Sequence, residues 1–179
     1  MQVEAAFGNA EARKYPEQVV IVIAKDAQGK FNPVTLGWTM LTSAQPPMMA
    51  IAVNRKSHSC SAIHRSREFV VCFPSTSMVF DLLVFGTNSG RDVDKLAFCA
   101  TSTQAASEID AILLSDAVAS FECRLENELE TGDHVLFVGR VVASYVSEDT
   151  AARRVYSLGH GEYGGVVPEA GPDADKLRI

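Results

Sequence analysis

The sequence has little with which to hold a metal, a nucleic acid or a membrane. Its four cysteines, Cys60, Cys72, Cys99 and Cys123, make no C-x-x-C pair. Cys60 and His58 have no second ligand pair beside them, so the spacing of a zinc site is missing. Cys72 and Cys123 fall inside apolar runs and read as small buried hydrophobes rather than disulfide partners, which points to a reducing, cytoplasmic compartment. Positive charge is scarce: 16 Lys and Arg stand against 22 Asp and Glu, leaving −6. A nucleic-acid backbone or an anionic membrane needs the opposite balance, so neither is an expected partner. There is no apolar run of the ~18 residues that a membrane span needs. The start, "MQVEAAFGNAEARKYPEQ", lacks the cationic-then-apolar order of a secretory leader. G-x-G-x-x-G, G-x-S-x-G and H-E-x-x-H are all missing, which removes the dinucleotide fingerprint, the hydrolase elbow and the zincin helix. No Ser-His-Asp set replaces them, so any chemistry falls to a bound cofactor.

What is present is strand. The chain of 179 residues fits a single domain with a core of its own, with an ordered core expected over 15–167 and a polar tail over 168–179. "QVVIVIA" (18–24) is a short Val/Ile-rich buried run. A turn follows at Gln28-Gly29. Residues 31–43, "FNPVTLGWTMLTS", read as one long strand interrupted in composition by Pro33 and Gly37. "MMAIAVN" and "EFVVCFP" are two more strands. Between them Ser57 is placed to cap a helix over 57–68. Residues 75–85 put Met78, Leu82 and Phe85 at helical spacing, and "RDVDKLAFCA" (91–100) predicts a further short helix. In 120–146, Phe121, Cys123 and Leu125 alternate with charged residues, "ETGDH" is the turn, and Val135, Phe137, Gly139, Val141 and Tyr145 share one parity. Many strands, few helices and no β-α-β rhythm predict a mainly β barrel or sandwich.

Three polar stretches stand out. Asn54, Arg55, Lys56, Ser57, His58 and Ser59 gather an amide, two cations, hydroxyls and an imidazole at the end of a strand and the start of a helix. Such donors suit an anion, phosphate above all; a capped helix beside a solvated basic turn is the plainer alternative. "SGRDVDKL" (89–96) sets Arg91 and Lys95 four apart, on one face of the expected helix, either over a ligand or in surface ion pairs. "LGHGEYGG" (158–165) brackets His160 and Tyr163 with four glycines, permitting close approach of a ring-bearing ligand or merely forming a loop. The one Trp, Trp38, follows Gly37; a core position is its default, and the wall of a flat ligand is the alternative. His64 and His134 are read as structural.

Taken in order, "VTLGWTMLTSAQPPMMAIAV" (34–53), "RKSHS" (55–59), "REFVVCFPS" (67–75), "SGRDVDKLA" (89–97), "FECRLENELETGDHVLFVGRVVASYV" (121–146) and "LGHGEYG" (158–164) resemble the flavin reductase-like family, in its flavoredoxin and ferric-reductase branch. The resemblance implies an FMN-binding split β-barrel with a few short helices, a homodimer, and hydride transfer from NADH or NADPH through FMN to free flavin or a ferric chelate. A non-enzymatic FMN-binding electron carrier or flavin-binding subunit is the alternative. It implies that Thr35, Gly37, Trp38, Thr39 and Ser43 flank the flavin ring and ribityl chain. Asn54, Arg55, Ser57 and Ser59 would hold the phosphate, Ser89 and Lys95 would reach the cofactor, and His160 and Tyr163 would line the nicotinamide or acceptor side.

Overall fold

The computed structural model describes residues 1–166; the expected tail over 168–179 lies outside them. The chain runs α1 (Phe7–Glu11), β1 (Glu17–Gln18), β2 (Val20–Lys25), β3 (Phe31–Leu36), β4 (Thr39–Ala44), β5 (Pro47–Asn54), α2 (His58–Ser66), β6 (Glu68–Pro74), α3 (Val79–Thr87), β7 (Thr103–Ala105), β8 (Ile112–Leu114), β9 (Ala117–Thr131), β10 (His134–Val146), β11 (Tyr156–Gly159) and β12 (Glu162–Gly164). Seven strands form one antiparallel sheet in the order β3-β2-β6-β9-β10-β5-β4. Its two edge strands, β3 and β4, are consecutive in the chain, so Gly37 and Trp38 bridge the edges of a curled sheet. Ala52 N–H donates to the Trp38 carbonyl at 3.0 Å and pins that corner. The result is a split β-barrel. The single strand expected over 31–43 is therefore two strands, broken where glycine lets the chain turn between edges.

β2 explains its own sequence. Val20, Val22 and Ala24 face the barrel interior with Met49, Ile51, Val53, Phe69, Val71, Cys123 and Phe137, and α2 closes that core with Cys60, Ala62 and Ile63. Ile21 and Ile23 face outward under α3, against Val70, Cys72, Met78, Leu82 and Phe85. A strand buried on both faces has no polar parity, hence the unbroken apolar run. A 3-10 turn at Thr76–Met78 leads into α3, and the two together bury Met78, Leu82 and Phe85, the spacing expected from the sequence.

β9 and β10 form the long hairpin, turning through Gly132 and Asp133, with Gly132 at φ 57°. Two register shifts, at Val138/Gly139 and Val141/Ala143, change its parity. Val141 packs against the interior core, whereas Val142 and Tyr145 pack against the outer one. The single parity expected from Val135 to Tyr145 is thus corrected: a bulge inserts a residue and swaps the faces beyond it. The helix expected over 91–100 is corrected too. Asp92 and Val93 N–H both turn back to the Ser89 carbonyl, and only Lys95–Phe98 is helical, as a 3-10 turn. The strands β7 and β8 and the small sheet β1-β11-β12 were not foreseen. All four cysteines are free.

Candidate functional site

The anion-loop residues 54–59 are shaped by their own backbone. Ser57 N–H donates to the Asn54 carbonyl at 2.9 Å, and Asn54 Oδ1 accepts from Lys56 N–H at 3.0 Å. Arg55 N–H donates to the Asp133 carbonyl at 3.0 Å, tying the loop to the hairpin tip. Ser57 caps α2, its Oγ accepting from Cys60 N–H at 3.1 Å. The first N–H groups of α2 thus open onto this loop, with the positive end of the helix dipole behind them.

A second element closes on the same place. Arg91 Nη2 donates to the Lys56 carbonyl at 3.0 Å. Ser89 Oγ accepts from Arg91 N–H at 3.2 Å and holds the turn. Gly90 lies so tightly on the barrel that a Cβ there would sit 2.0 Å from Asn32 Oδ1 and 3.0 Å from His58 Cδ2. Only glycine permits that approach. Among the described residues, Arg55, Lys56 and Arg91 have no carboxylate at ion-pair distance. Two such cations on the loop and a third latched onto it, in a chain of net charge −6, are what a small dianion requires.

Beneath the loop lies a buried polar layer. His58 Nε2 donates to Asp26 Oδ2 at 3.1 Å, and Asp26 Oδ1 accepts from Gln28 and Lys30 N–H, both at 2.9 Å. Burial alone would push the Asp26 carboxyl up, but the Lys30 amide, His58 and the Gln28 amide hold it below the usual carboxylate range. Asn32 Nδ2 donates to Ser59 Oγ at 2.7 Å.

The ring end stands at the open corner of the barrel. Trp38 is 46% exposed, not the core residue of the default reading. Its indole meets His134 at a centroid distance of 4.7 Å, and His134 pairs with Asn54 across β10 and β5. Trp38 and the end of β5 therefore share His134 as a neighbour. A Cβ at Gly37 would sit 3.4 Å from the Glu17 carboxylate, and Glu17 pairs with Ser157 of β11. β1 is thus the strip between the Gly37 corner and the β11–β12 hairpin whose turn carries His160, exposed and at φ 53°.

Other expected residues face elsewhere. Thr35 points to the outer side, its hydroxyl donating to the Leu82 carbonyl at 2.7 Å. Thr39 Oγ1 donates to the Ala50 carbonyl at 3.0 Å. Ser43 sits at a register shift of edge strand β4 and accepts from Gln45 N–H at 3.2 Å. Tyr163 packs against the outer core. Lys95 is buried, donating to the Phe85 carbonyl at 3.2 Å, while Arg91 turns to the loop. The two cations expected on one helical face thus point apart, because the segment is not a continuous helix. Asp26 and Asn32 escaped the sequence reading, and His134 was read only as structural; the one available signal was Asn32, an amide set in an otherwise apolar strand.

Residues 12–165 match the family described as "Flavin reductase like domain". The chain belongs to this family. A flavin reductase of Pseudomonas putida is 28% identical over 164 residues, 92% of this chain and 93% of the relative. An NADH-dependent FMN reductase, AsuE2 of Streptomyces nodosus subsp. asukaensis, is 28% identical over 78% of this chain and 75% of its own. The crystal structure of flavoredoxin from Methanosarcina acetivorans superposes with a TM-score of 0.86 at 24% identity, over 99% of this chain and all of that one. The split barrel is thus the family fold. Among the described residues no group of three or more metal-ligating side chains occurs, and no helix is long and apolar enough to cross a membrane.

Proposed function

We propose that the protein binds FMN and catalyses NAD(P)H-dependent reduction of a small acceptor, such as free flavin or a ferric chelate. The observation that carries this reading is the Arg91 guanidinium latched onto the Lys56 carbonyl, which sets a third cation beside the Arg55-Lys56 turn leading into α2, with no carboxylate at ion-pair distance from any of the three among the described residues. In that assignment the three cations balance the FMN phosphate, and Ser57, Ser59 and the free amides of α2 donate to its oxygens. Trp38 offers a flat face at the open corner, and Gly37 lets β1 pack closely behind it. FMN, when bound, supplies the hydride-accepting ring. The chain's part is to hold that ring at the barrel mouth, beside the β11–β12 turn with His160, and to keep water from its covered face. The name of the Streptomyces relative supports both the cofactor and a nicotinamide donor. The exposed Met40 and Leu41 of edge strand β4 support a homodimer that covers this corner.

The test is anaerobic mixing of FMN-loaded protein with NADH and, separately, NADPH. Loss of the flavin's visible absorbance with at least one donor is expected. FMN binding without loss of colour by either donor would leave an electron carrier and overturn the reductase. Failure to bind FMN would overturn both.

A further inference from the structure

Asn32 is 4% exposed and projects from β3 toward Ser59 of α2. Its Nδ2 donates to Ser59 Oγ at 2.7 Å, while among the described residues its Oδ1 has no hydrogen-bond partner and lies where a side chain at position 90 would have to go. An orphaned buried amide oxygen costs stability, so the side chain must serve something beyond packing. Its effect falls on Ser59. A hydroxyl whose oxygen already accepts from an amide has its hydrogen free to donate. Among the described residues no acceptor takes that hydrogen, although Ser59 is itself 4% exposed. Ser59 is the second residue of α2, and the Ser57 cap and the Arg91 latch lie over it.

We propose that Asn32 is a positioning residue: it locks the Ser59 rotor so that the hydroxyl donates toward the anion loop, and thereby sets the preference for phosphorylated flavin over riboflavin. This role rests on the FMN assignment above. Asp26 acts alongside it by fixing His58, the neighbour on which Gly90 also packs. The prediction is selective. Riboflavin has the same ring and ribityl chain but no phosphate, so it is indifferent to the Ser59 hydrogen.

The experiment measures FMN and riboflavin dissociation constants by fluorescence titration of wild type, Asn32→Ala, Asn32→Asp, Ser59→Ala and the double alanine variant. Wild type should prefer FMN; equal affinity for the two flavins, or none for either, would fault the FMN assignment itself. Asn32→Ala should weaken FMN by roughly tenfold, one hydrogen bond's worth of affinity, and leave riboflavin unchanged. Asn32→Asp should weaken FMN further, because it places a negative charge under the phosphate. Ser59→Ala should match Asn32→Ala, and the double variant should add nothing, as expected for residues acting through one hydrogen. An unchanged ratio of FMN to riboflavin affinity in Asn32→Ala would overturn the role, as would additive losses in the double variant. If Asn32→Ala does not fold, Ser59→Ala alone decides: a preserved FMN preference there removes the hydroxyl, and Asn32 with it, from phosphate selection.

Discussion

Trp38 and His134 face each other at 4.7 Å with ring planes 43° apart, joining the open corner of the barrel to the hairpin whose tip holds the anion loop through Asp133. Trp38 is the one Trp of the chain, so its fluorescence reports this corner alone. FMN addition should quench it in step with binding. Trp38→Ala should weaken FMN by ~1 kcal/mol, the typical contribution of an aromatic pair beyond its area, and riboflavin equally. Unquenched emission at saturating FMN would place the ring elsewhere.

Arg55 donates its backbone N–H to the Asp133 carbonyl, but among the described residues its guanidinium has no carboxylate at ion-pair distance. Arg55→Ala should cost FMN binding ~1.5–3 kcal/mol, the range for a hydrogen bond to a charged group, with little change in the melting temperature of the FMN-free protein. The loss should shrink at high salt, where the loop's field is screened. A titration curve superposable on wild type would remove Arg55 from the phosphate contacts.

Glu122 is fully buried and clamps residues 107–109, accepting from Ser107 N–H and Glu108 N–H at 2.8 Å each and from Tyr145 OH at 2.5 Å. Burial by itself would raise its carboxyl, but the Tyr145 hydroxyl and the Ser107, Glu108 and Ile109 amides hold it below the usual range. With the folded value lower than the unfolded one, the clamp's stability is present above the ordinary carboxylate range and is lost as pH falls through the folded value. Glu122→Gln should cost about 3 kcal/mol at neutral pH, the scale for breaking a buried charged network. It should also flatten the acid limb of the melting curve; an unaltered acid limb would contradict the clamp.

Gly139 faces the ring of Phe69. An added Cβ would lie 2.7 Å from Phe69 Cζ and 2.9 Å from Cys123 Cβ, both in the interior core. Gly139→Ala should destabilise by ~2 kcal/mol through overpacking, read by urea unfolding. Phe69→Leu in the same chain should recover part of that loss.

Lys95 is the reverse case of a charge. Burial pushes its ammonium down to about 8, so the unfolded chain holds that proton more tightly than the folded one. Stability should therefore be lowest below the folded value and rise between it and the unfolded ~10.4. Lys95→Met should gain about 2 kcal/mol at pH 7 and lose the alkaline rise, with FMN affinity unchanged. A fall in FMN affinity would return Lys95 to the site.

The fold was legible where burial is local. The Val/Ile run of β2, the capped start at Ser57 and the Gly132–Asp133 turn each carry their cause within a few residues. The register shifts between β9 and β10 were not, because nothing in "VLFVGRVVASYV" marks where a register slips against β9. The cations of the anion loop were visible as Arg55 and Lys56, and the structure adds Arg91 by replacing a helix with a turn. The support beneath was hidden, since Asn32 and Ser59 are 27 residues apart and Asp26 and His58 are 32 apart. No periodicity connects them; only the curl of the barrel does.

The hook between Arg55 and Asp133 makes the 54–59 segment non-portable. Its shape is borrowed from the far end of the β9–β10 hairpin, so transplanting those six residues onto another barrel would carry the charges without the grip. Shortening the hairpin by one turn should slacken the loop even though no loop residue is touched.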